Sequence, residues 1–281
     1  MTVDVEEVKS DLLNALEHDK LVLPTLPEIA LQVREAANDP NTDIPRLQDL
    51  IGNDAALSAR VVRVANSPLV RGVQAIEHLQ AALSRLGVTY SCNLVLGLAM
   101  EQMFQATNDG IDTRLREVWS RSAEVAAIAN VLCQHYTRLE PDKATLAGLT
   151  HLIGVLPVLT YAEENDILLE EEESEQLDAV IEAIAPDLGV KILESWSFHP
   201  SLTHVPKDHL DYRRDTDEVD YIDIVVVARL QSYGYEDSSG RKISSREVPA
   251  VAKLGLELDD SEDLELGLHI EEIDMAVESL Q

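Results

Sequence analysis

The sequence predicts an all-α protein, a multi-helix bundle in two packed helical subregions. Apolar residues recur with helical spacing along nearly the whole chain of 281 residues. Hydrophobic residues make up 45% of the chain and aromatic residues only 4%, so aliphatic side chains must fill the core, which suits packed helices better than a β-sandwich. The β-branched stretch EVDYIDIVVVARLQSYG favours a strand by propensity, but its length and flanking residues predict a buried helix.

Capping residues and prolines predict where the helices of the first half begin and end. An amphipathic pattern over residues 3–18 predicts an N-terminal helix. Pro27 suits the first turn of the next helix, and a short helix starts near Asp43. Asp54 is the predicted N-cap of the helix after that. Gly87 is typical of a helix C-terminus.

Different signals mark the second half of the chain. Asp142 is the predicted N-cap of a helix that contains His151 and has Pro157 near its end. The stretches AEENDILLEEEESEQLDAVIEAI and PDLGVKILESW are interpreted as an acidic helix or helix pair followed by a further helix. The stretch SFHPSLTHVPKDHLDYRRD predicts a mobile loop, and the five-residue spacing of its three histidines argues against a zinc site there.

Three segments follow from these patterns. We expect residues 1–19 to form an N-terminal amphipathic helix. Residues 20–256 are predicted to form the helical domain. Its two subregions span about residues 20–105 and residues 111–256. The tail, residues 257–281, contains ten acidic residues and no lysine or arginine, and we expect it either to dock on the bundle or to remain free.

The charge of the chain limits its partners. Asp and Glu number 52 against 22 Lys and Arg, a formal net charge of −30, which repels phosphate backbones and disfavours nucleic-acid binding. This charge indicates either a soluble acidic surface or an acidic face for a basic protein. We expect no membrane span, no signal peptide and a cytoplasmic location, with Cys92 and Cys133 as buried free thiols.

The stretch LPTLPEIALQVREAANDPNTDIPRLQDLIGNDAALSARVVRVANSPL carries the most specific pattern. Later stretches, ALSRLG, VWSRSAEVA, LAGLTHLIGVL and PAVAKLGL, follow it in order. Together they resemble the HDOD family, the HD-related output domains of bacterial signalling proteins, over roughly residues 20–256. The motif residues that carry this resemblance are Leu23, Pro24, Leu26, Pro27, Asp54, Leu57, Arg60, Asn66, Ser67 and Trp119.

The motif residues also have a purely structural interpretation. Asn66 and Ser67 lie where a helix must stop, and their side chains can bond free backbone groups. Arg60 and Arg63 lie on one helix face and can pair with acids. We therefore expect these residues to hold the helices together, and the alternative is a groove for a partner.

The resemblance implies an HD-like bundle whose metal site is lost. HD phosphohydrolases use a histidine, a His-Asp pair and a later aspartate, whose imidazoles and carboxylates bind a divalent ion that activates water. The corresponding positions hold Arg121, the pair His151-Leu152, and Arg229. Leucine has no lone pair and two arginines repel a cation, so we expect neither a metal nor another cofactor.

The same three residues suggest a different site. Arg121, His151 and Arg229 could converge into a pocket for an anion, since guanidinium groups bind phosphate and carboxylate in a forked geometry. The alternative is that the arginines pair with internal carboxylates and His151 donates to a backbone carbonyl.

What the resemblance implies for function is a non-catalytic regulatory domain of bacterial signal transduction. It would act through protein contacts, either with another protein of its pathway or with a second copy of itself, and without nucleic acid or membrane. Two alternatives remain open. One is a sensor that binds a nucleotide or other anion in the arginine-lined site, and the other is a residual metal-dependent phosphohydrolase with a displaced metal site.

Overall fold

All regular elements of the described chain are helices, apart from one isolated bridge between Glu236 and Lys242. The structure is a computed structural model, and it describes residues 23–67, 70, 74–165, 171–257 and 269–280. The all-α prediction is confirmed. The predicted helix at residues 3–18 lies outside the described residues.

The helices of the first subregion are α1 (Glu28–Asn38), α2 (Ile44–Ile51), α3 (Ala55–Ala65), α4 (Leu79–Leu86) and α5 (Val88–Met100). The predicted N-cap Asp54 is confirmed, because its side chain accepts from the backbone N–H of Leu57. A helix also starts near Asp43, as predicted, and the Asp43 side chain accepts from the backbone N–H of Arg46. Helix α1 packs on α5, and α3 packs on α4 and α5. Their apolar faces meet in one core.

The remaining helices are α6 (Asp109–Tyr136), α7 (Pro141–Thr150), α8 (Val155–Glu164), α9 (Glu171–Ser195), α10 (Pro200–Thr203), α11 (Val205–Asp208), α12 (Tyr221–Ser232), α13 (Pro249–Lys253) and α14 (Ile270–Leu280). Helix α6 lies at the centre and contacts α7, α8, α12 and α14. Helix α5 packs against both α1 and α7, so it connects the helices of the two predicted subregions. The exact domain boundaries stay a prediction.

Helices α6 and α7 approach each other closely because their facing residues are small. A Cβ atom added at Gly148 would lie 2.3 Å from the Cα of Ala126 and 2.6 Å from its backbone nitrogen. Asn130 of α6 also donates to the hydroxyl of Thr145 on α7, at 2.7 Å. This pair of helices therefore has one register, set by a backbone contact and a buried hydrogen bond.

The predicted break before PDLGVKILESW is wrong. Helix α9 runs without interruption through Pro186 to Ser195. A proline inside a helix costs about 3 kcal/mol because it removes a hydrogen bond and clashes with the preceding turn. Packing of α9 against α8 and α11 offsets this cost.

The loop predicted for SFHPSLTHVPKDHLDYRRD is also wrong in part. The stretch contains the short helices α10 and α11, and each has a proline at its first or second position. Proline is favoured there because the missing N–H has no helical partner anyway. His209, which follows α11, is buried rather than exposed.

The β-branched stretch is a helix, as the sequence analysis predicts. Helix α12 begins at a capping box in which the side chains of Asp220 and Asp223 bond each other's backbone N–H groups. The Asp223 carboxylate is fully buried and pairs with Arg214 and Lys253. A buried charge of this kind needs such partners.

Several motif residues contact other parts of the fold, whereas the buried Ser67 hydroxyl, expected to bond a backbone group, has no hydrogen-bond partner among the described residues. Asn66 bonds the backbone N–H and carbonyl of Ile76. Arg60 pairs with Glu101 and also donates to the backbone carbonyl of Leu280. The Trp119 ring lies 5.3 Å from the ring of Phe104, in a buried tilted pair.

The end of the acidic tail is docked. Helix α14 packs on α3 and α6, with Ala276 and Leu280 buried in the contact. The preceding residues, 258–268, lie outside the described part. Cys92 and Cys133 are buried free thiols, and burial raises the pKa of each to about 11.

One described stretch, Pro141–Glu164, is long and apolar enough to cross a membrane by length and composition. Within its most apolar window, 83% of the residues are buried inside the bundle. That burial is typical of a core segment of a helical protein.

The backbone contact at Gly148 gives the first prediction. Gly148→Ala should lower the free energy of unfolding by roughly 1–3 kcal/mol, because the methyl group meets the α6 backbone, which cannot move aside. Chemical denaturation would measure this loss.

Gly97→Ala on α5 is the matched control. Its Cβ would meet the end of the Leu149 side chain, which can adjust, and both substitutions gain the same helix propensity. Equal losses in the two variants would contradict the proposed role of the α6–α7 contact.

Candidate functional site

A cavity of about 420 Å³ opens beside the turn that joins α7 to α8. Its walls come from α6, the turn, α9, the end of α11 and α12. The lining residues are Arg121, His151, Leu152, Gly154, Val155, Ile181, Glu182, Ala185, Pro186, Pro206, His209, Leu210, Arg229 and Tyr233. The structure thus brings Arg121, His151 and Arg229 to one cavity.

The stretch AGLTHLIGVLPVL is two helices joined by a turn, and not the single helix of the sequence analysis. Helix α7 ends at Thr150, His151 occupies its C-cap, and α8 begins at Val155. The predicted cap at Asp142 is wrong, because Glu140 is the N-cap residue and carries no side-chain cap bond. The Asp142 carboxylate instead accepts from the Asn93 amide at 2.7 Å.

Gly154 allows α9 to form the far wall of the cavity. A Cβ atom at this position would lie 1.9 Å from the carbonyl oxygen of Ala185 and 2.6 Å from the backbone nitrogen of Gly189. Any larger residue would push α9 away from the turn. The width of the cavity therefore depends on this glycine.

His151 is neutral and held by two hydrogen bonds. Its side chain is 1% exposed, and its Nδ1–H donates to the Gly148 carbonyl at 2.6 Å. Nε2 then carries the lone pair and accepts from the Tyr233 hydroxyl at 2.8 Å. Burial lowers the pKa of His151 to about 3, and the charge of Arg229 adds to that shift.

His209 lies beside His151 and is the residue that the sequence analysis misplaced. The two rings meet edge to face with centroids 5.0 Å apart. Its Nδ1–H donates to the Val205 carbonyl at 2.8 Å, while its buried Nε2 has no hydrogen-bond partner among the described residues. Burial lowers the pKa of His209 well below its usual value, so Nε2 is an unused acceptor in the cavity wall.

The two arginines contact aromatic rings instead of carboxylates. The Arg229 guanidinium lies 4.1 Å from the ring centre of Tyr235 and 5.1 Å from that of Tyr233. The Arg121 guanidinium lies 5.7 Å from the same Tyr233 ring. Neither arginine forms an ion pair with a described residue, and the buried Nε–H of Arg229 has no described acceptor.

These residues do not fit a hydrolase metal. Both ring nitrogens of His151 are engaged within the protein, Leu152 has no donor atom, and two guanidinium groups raise the positive potential of the cavity. A divalent ion needs several lone pairs at short distance. The cavity offers instead two cationic groups, one acceptor nitrogen, the carboxylate of Glu182 and otherwise mainly apolar walls.

Sequence reasoning missed the cavity residues His209 and Tyr233, and also Tyr235, which lies behind them against Arg229. The Tyr235 hydroxyl donates to the His209 carbonyl at 2.7 Å, which fixes the ring under Arg229. Tyr233 directly follows α12 in a stretch interpreted only as a helix. Its spacing from Arg229 was the available signal, since residues at i and i+4 lie on one helix face. Tyr235 lies beyond that stretch and has no such spacing.

The fold and the cavity define an HD-like helical domain. The HDOD domain model matches residues 23–212, which is more than half of the chain. The chain belongs to the HDOD domain family.

Solved structures share this fold. A protein from Shewanella amazonensis SB2B, provisionally named a metal-dependent phosphohydrolase, aligns with a TM-score of 0.85 and 30% identity over 99% of both chains. An HDOD domain protein of unknown function from Geobacter sulfurreducens aligns with a TM-score of 0.66 and 24% identity over 99% of both chains. At this lower identity the likeness shows the fold alone.

Among curated proteins, an uncharacterized protein of Treponema pallidum (strain Nichols) is similar. The two are 22% identical over 209 residues, which cover 66% of this chain and 39% of that protein. The chain therefore spans less than half the length of this relative.

The buried histidines give a pH prediction. Between the usual pKa and the lowered native pKa of His151, the unfolded chain binds a proton that the native chain does not. The neutral His151 therefore contributes fully to the free energy of unfolding above about pH 6.5. This contribution is lost as the pH falls toward about 3, by about 1.4 kcal/mol per pH unit.

The variant His151→Asn removes the group that binds this proton in the unfolded chain. We expect the plot of unfolding free energy against pH to be shallower for this variant than for the wild type, between about pH 6 and pH 4, by about one proton. Urea denaturation at a series of pH values measures both slopes. Identical slopes would contradict a neutral buried His151.

Proposed function

We propose that this chain is a non-catalytic regulatory domain of bacterial signal transduction that acts through contacts with another protein. One observation carries the proposal, namely the residues at the positions of the HD metal ligands. Arg121, Leu152 and Arg229 provide no metal ligand, and His151 has both nitrogens bonded within the fold. The name of the Shewanella relative suggests metal-dependent hydrolysis, but the chemistry of this cavity opposes it.

The mouth of the cavity supports a protein contact. Leu210 is 43% exposed and Tyr233 is 37% exposed, and they are two of the four large hydrophobic residues found exposed in the described chain. The Arg121 side chain is exposed beside them. Apolar and arginine side chains around a concave surface are typical of binding hot spots. A partner segment with an acidic group next to an apolar side chain would match this surface.

A matched pair of surface variants tests the protein contact. Leu210→Asp should abolish capture of a crosslinked partner from a lysate of the source organism, because a charge at the cavity mouth would be desolvated on binding. Leu31→Asp on α1 introduces the same charge at a leucine of similar exposure, 38%, and should retain the partner. Mass spectrometry of the captured bands measures both. Equal capture by the two variants would contradict a contact at the cavity.

A phosphoesterase assay tests the non-catalytic part of this proposal. The purified chain is assayed with phosphomonoesters and phosphodiesters in the presence of Mn²⁺, Mg²⁺ or Zn²⁺, and we expect the same rates for the wild type and His151→Ala. Turnover that His151→Ala abolishes would instead establish the chain as a hydrolase.

A second candidate function is a sensor for a small anion, and two unsatisfied polar atoms favour it. The Nε–H of Arg229 and Nε2 of His209 are buried without described partners, and leaving such groups unpaired costs about 1–3 kcal/mol each. A phosphate would accept from the arginines, and a hydroxyl or N–H group of the same molecule would donate to His209. The apolar walls would contact a base or another flat body.

A nucleoside monophosphate combines these features, and the volume of about 420 Å³ falls within the usual range for ligand sites. The sensor would shift its partner's equilibrium by binding one conformation more tightly than another. This candidate extends the first proposal, since a ligand at the cavity would alter the surface that contacts the partner.

Thermal shift measurements test the sensor. Adenosine and guanosine monophosphate, compared with inorganic phosphate, should raise the melting temperature, with about 2.7 kcal/mol of stabilisation at a hundredfold excess over Kd. Arg229→Gln should remove the shift. Arg46→Gln removes an arginine on α2 that pairs with Asp39, and this variant should retain the shift. A shift that survives in Arg229→Gln would place the anion elsewhere, and no shift in the wild type would exclude this class of ligand.

A further inference from the structure

A second cluster of polar side chains lies where α14 docks on α6. It consists of His135, near the end of α6, His269, which directly precedes α14, and Glu272, in the first turn of α14. One ligand atom from each residue lies within 4.8 Å of the other two. The carboxylate Oε2 of Glu272 is 3.0 Å from Nε2 of His135 and 3.2 Å from Nδ1 of His269.

The fold and the local sequence account for this arrangement. His269 and Glu272 are three residues apart, a spacing that places both side chains on one face of a helix. That face meets α6 because Ala276 and Leu280 are buried at the α14 contact. The rings of His135 and His269 stack with centroids 4.1 Å apart, and Tyr136 meets both edge-on, so the rings have little freedom to turn away.

The donor atoms fit a particular class of ion. Two imidazole nitrogens and a carboxylate oxygen are ligands of Zn²⁺ and similar transition metals, whereas Mg²⁺ and Ca²⁺ prefer oxygen alone. Each imidazole now directs a nitrogen toward the same carboxylate oxygen. A neutral imidazole that moves its N–H to its other nitrogen would direct a lone pair to that point instead. A metal ion therefore requires a change of tautomer, a turn of the stacked rings toward a common point and a small shift of the carboxylate, and no rearrangement of the helices.

We propose that His135, His269 and Glu272 form a binding site for a divalent transition metal of the zinc class, which fastens α14 to α6. The three ligands leave one position of a tetrahedral ion for water. The opposite end of α14 is already held, because Arg60 donates to the Leu280 carbonyl and Arg63 to the Glu278 carbonyl. The metal would hold the first turn of the same helix.

This site is separate from the cavity. Arg121 and His135 lie on the same helix, 14 residues apart, which corresponds to about 21 Å along its axis. Metal found in the purified chain therefore need not indicate a hydrolase centre. Variants at the two places distinguish these assignments.

Isothermal titration of the full chain, after removal of metal with EDTA, tests the proposal. We expect one equivalent of Zn²⁺ to bind to the wild type. Loss of a ligand should weaken this binding at least as much as the 10- to 100-fold loss typical when a group supporting a metal ligand is removed. His269→Ala and His135→Ala should both show this loss, and Glu272→Gln tests the carboxylate with a side chain of the same shape.

Three controls make the result specific. His204→Ala removes an exposed histidine outside the cluster and should leave Zn²⁺ binding unchanged. His151→Ala should also leave it unchanged. When Mg²⁺ replaces Zn²⁺, any binding should be the same in the wild type and in His269→Ala. Equal binding of both ions at this place would indicate only attraction to the acidic surface.

The melting temperature provides an independent measurement. Saturating Zn²⁺ should raise it by roughly 5–10 °C in the wild type and not in His269→Ala, while the metal-free proteins should melt within a few degrees of each other. Zn²⁺ binding that His151→Ala abolishes and His269→Ala retains would overturn the proposal and place the metal in the cavity. The absence of stoichiometric binding in the wild type would also overturn it, but would leave the proposed regulatory function unaffected.

Discussion

The close approach of α6 and α7 at Gly148 is the constraint on which the rest of the site depends. The absence of a side chain there lets the α7 backbone contact Ala126, and the carbonyl of the same glycine accepts the Nδ1–H of His151. One residue thus sets both the spacing of two core helices and the tautomer of the buried histidine. Gly154 sets the position of the opposite wall, because the absence of a side chain there lets the turn contact the Ala185 carbonyl of α9.

The electrostatics of the cavity differ from those of the molecule. A chain of net charge −30 keeps two arginines at one cavity without an ion pair to a described residue, and stabilises them on tyrosine rings. Cation–π contacts contribute about 0.5–2 kcal/mol each, which is enough to hold a guanidinium without neutralising it. The two neighbouring histidines remain neutral. Positive charge in a recess of an acidic protein concentrates the field where an anion could enter.

Much of the fold followed from the sequence, because helical periodicity and side-chain caps such as Asp43 and Asp54 are local signals. Long-range packing decided what the sequence could not. Pro186 is a local signal for a helix end, yet contacts with α8 and α11 keep α9 continuous. His209 appeared to belong to a loop, since its burial depends on Tyr235 and α12, which lie beyond it in the chain. The arginines were identified through resemblance, whereas the position of Tyr235 under Arg229 depends on a long-range hydrogen bond to the His209 carbonyl.

The docking of α14 has a consequence for how the protein is made. Arg60 bonds a carbonyl that lies 220 residues later in the chain, so α3 cannot complete its contacts until that later segment has been synthesised. At about 5–20 residues per second, the delay is roughly 10–45 s. Arg60 and Arg63 lack their acceptors on α14 throughout that interval. The nascent chain therefore carries α3 without this helix partner while the rest of the bundle is still being translated.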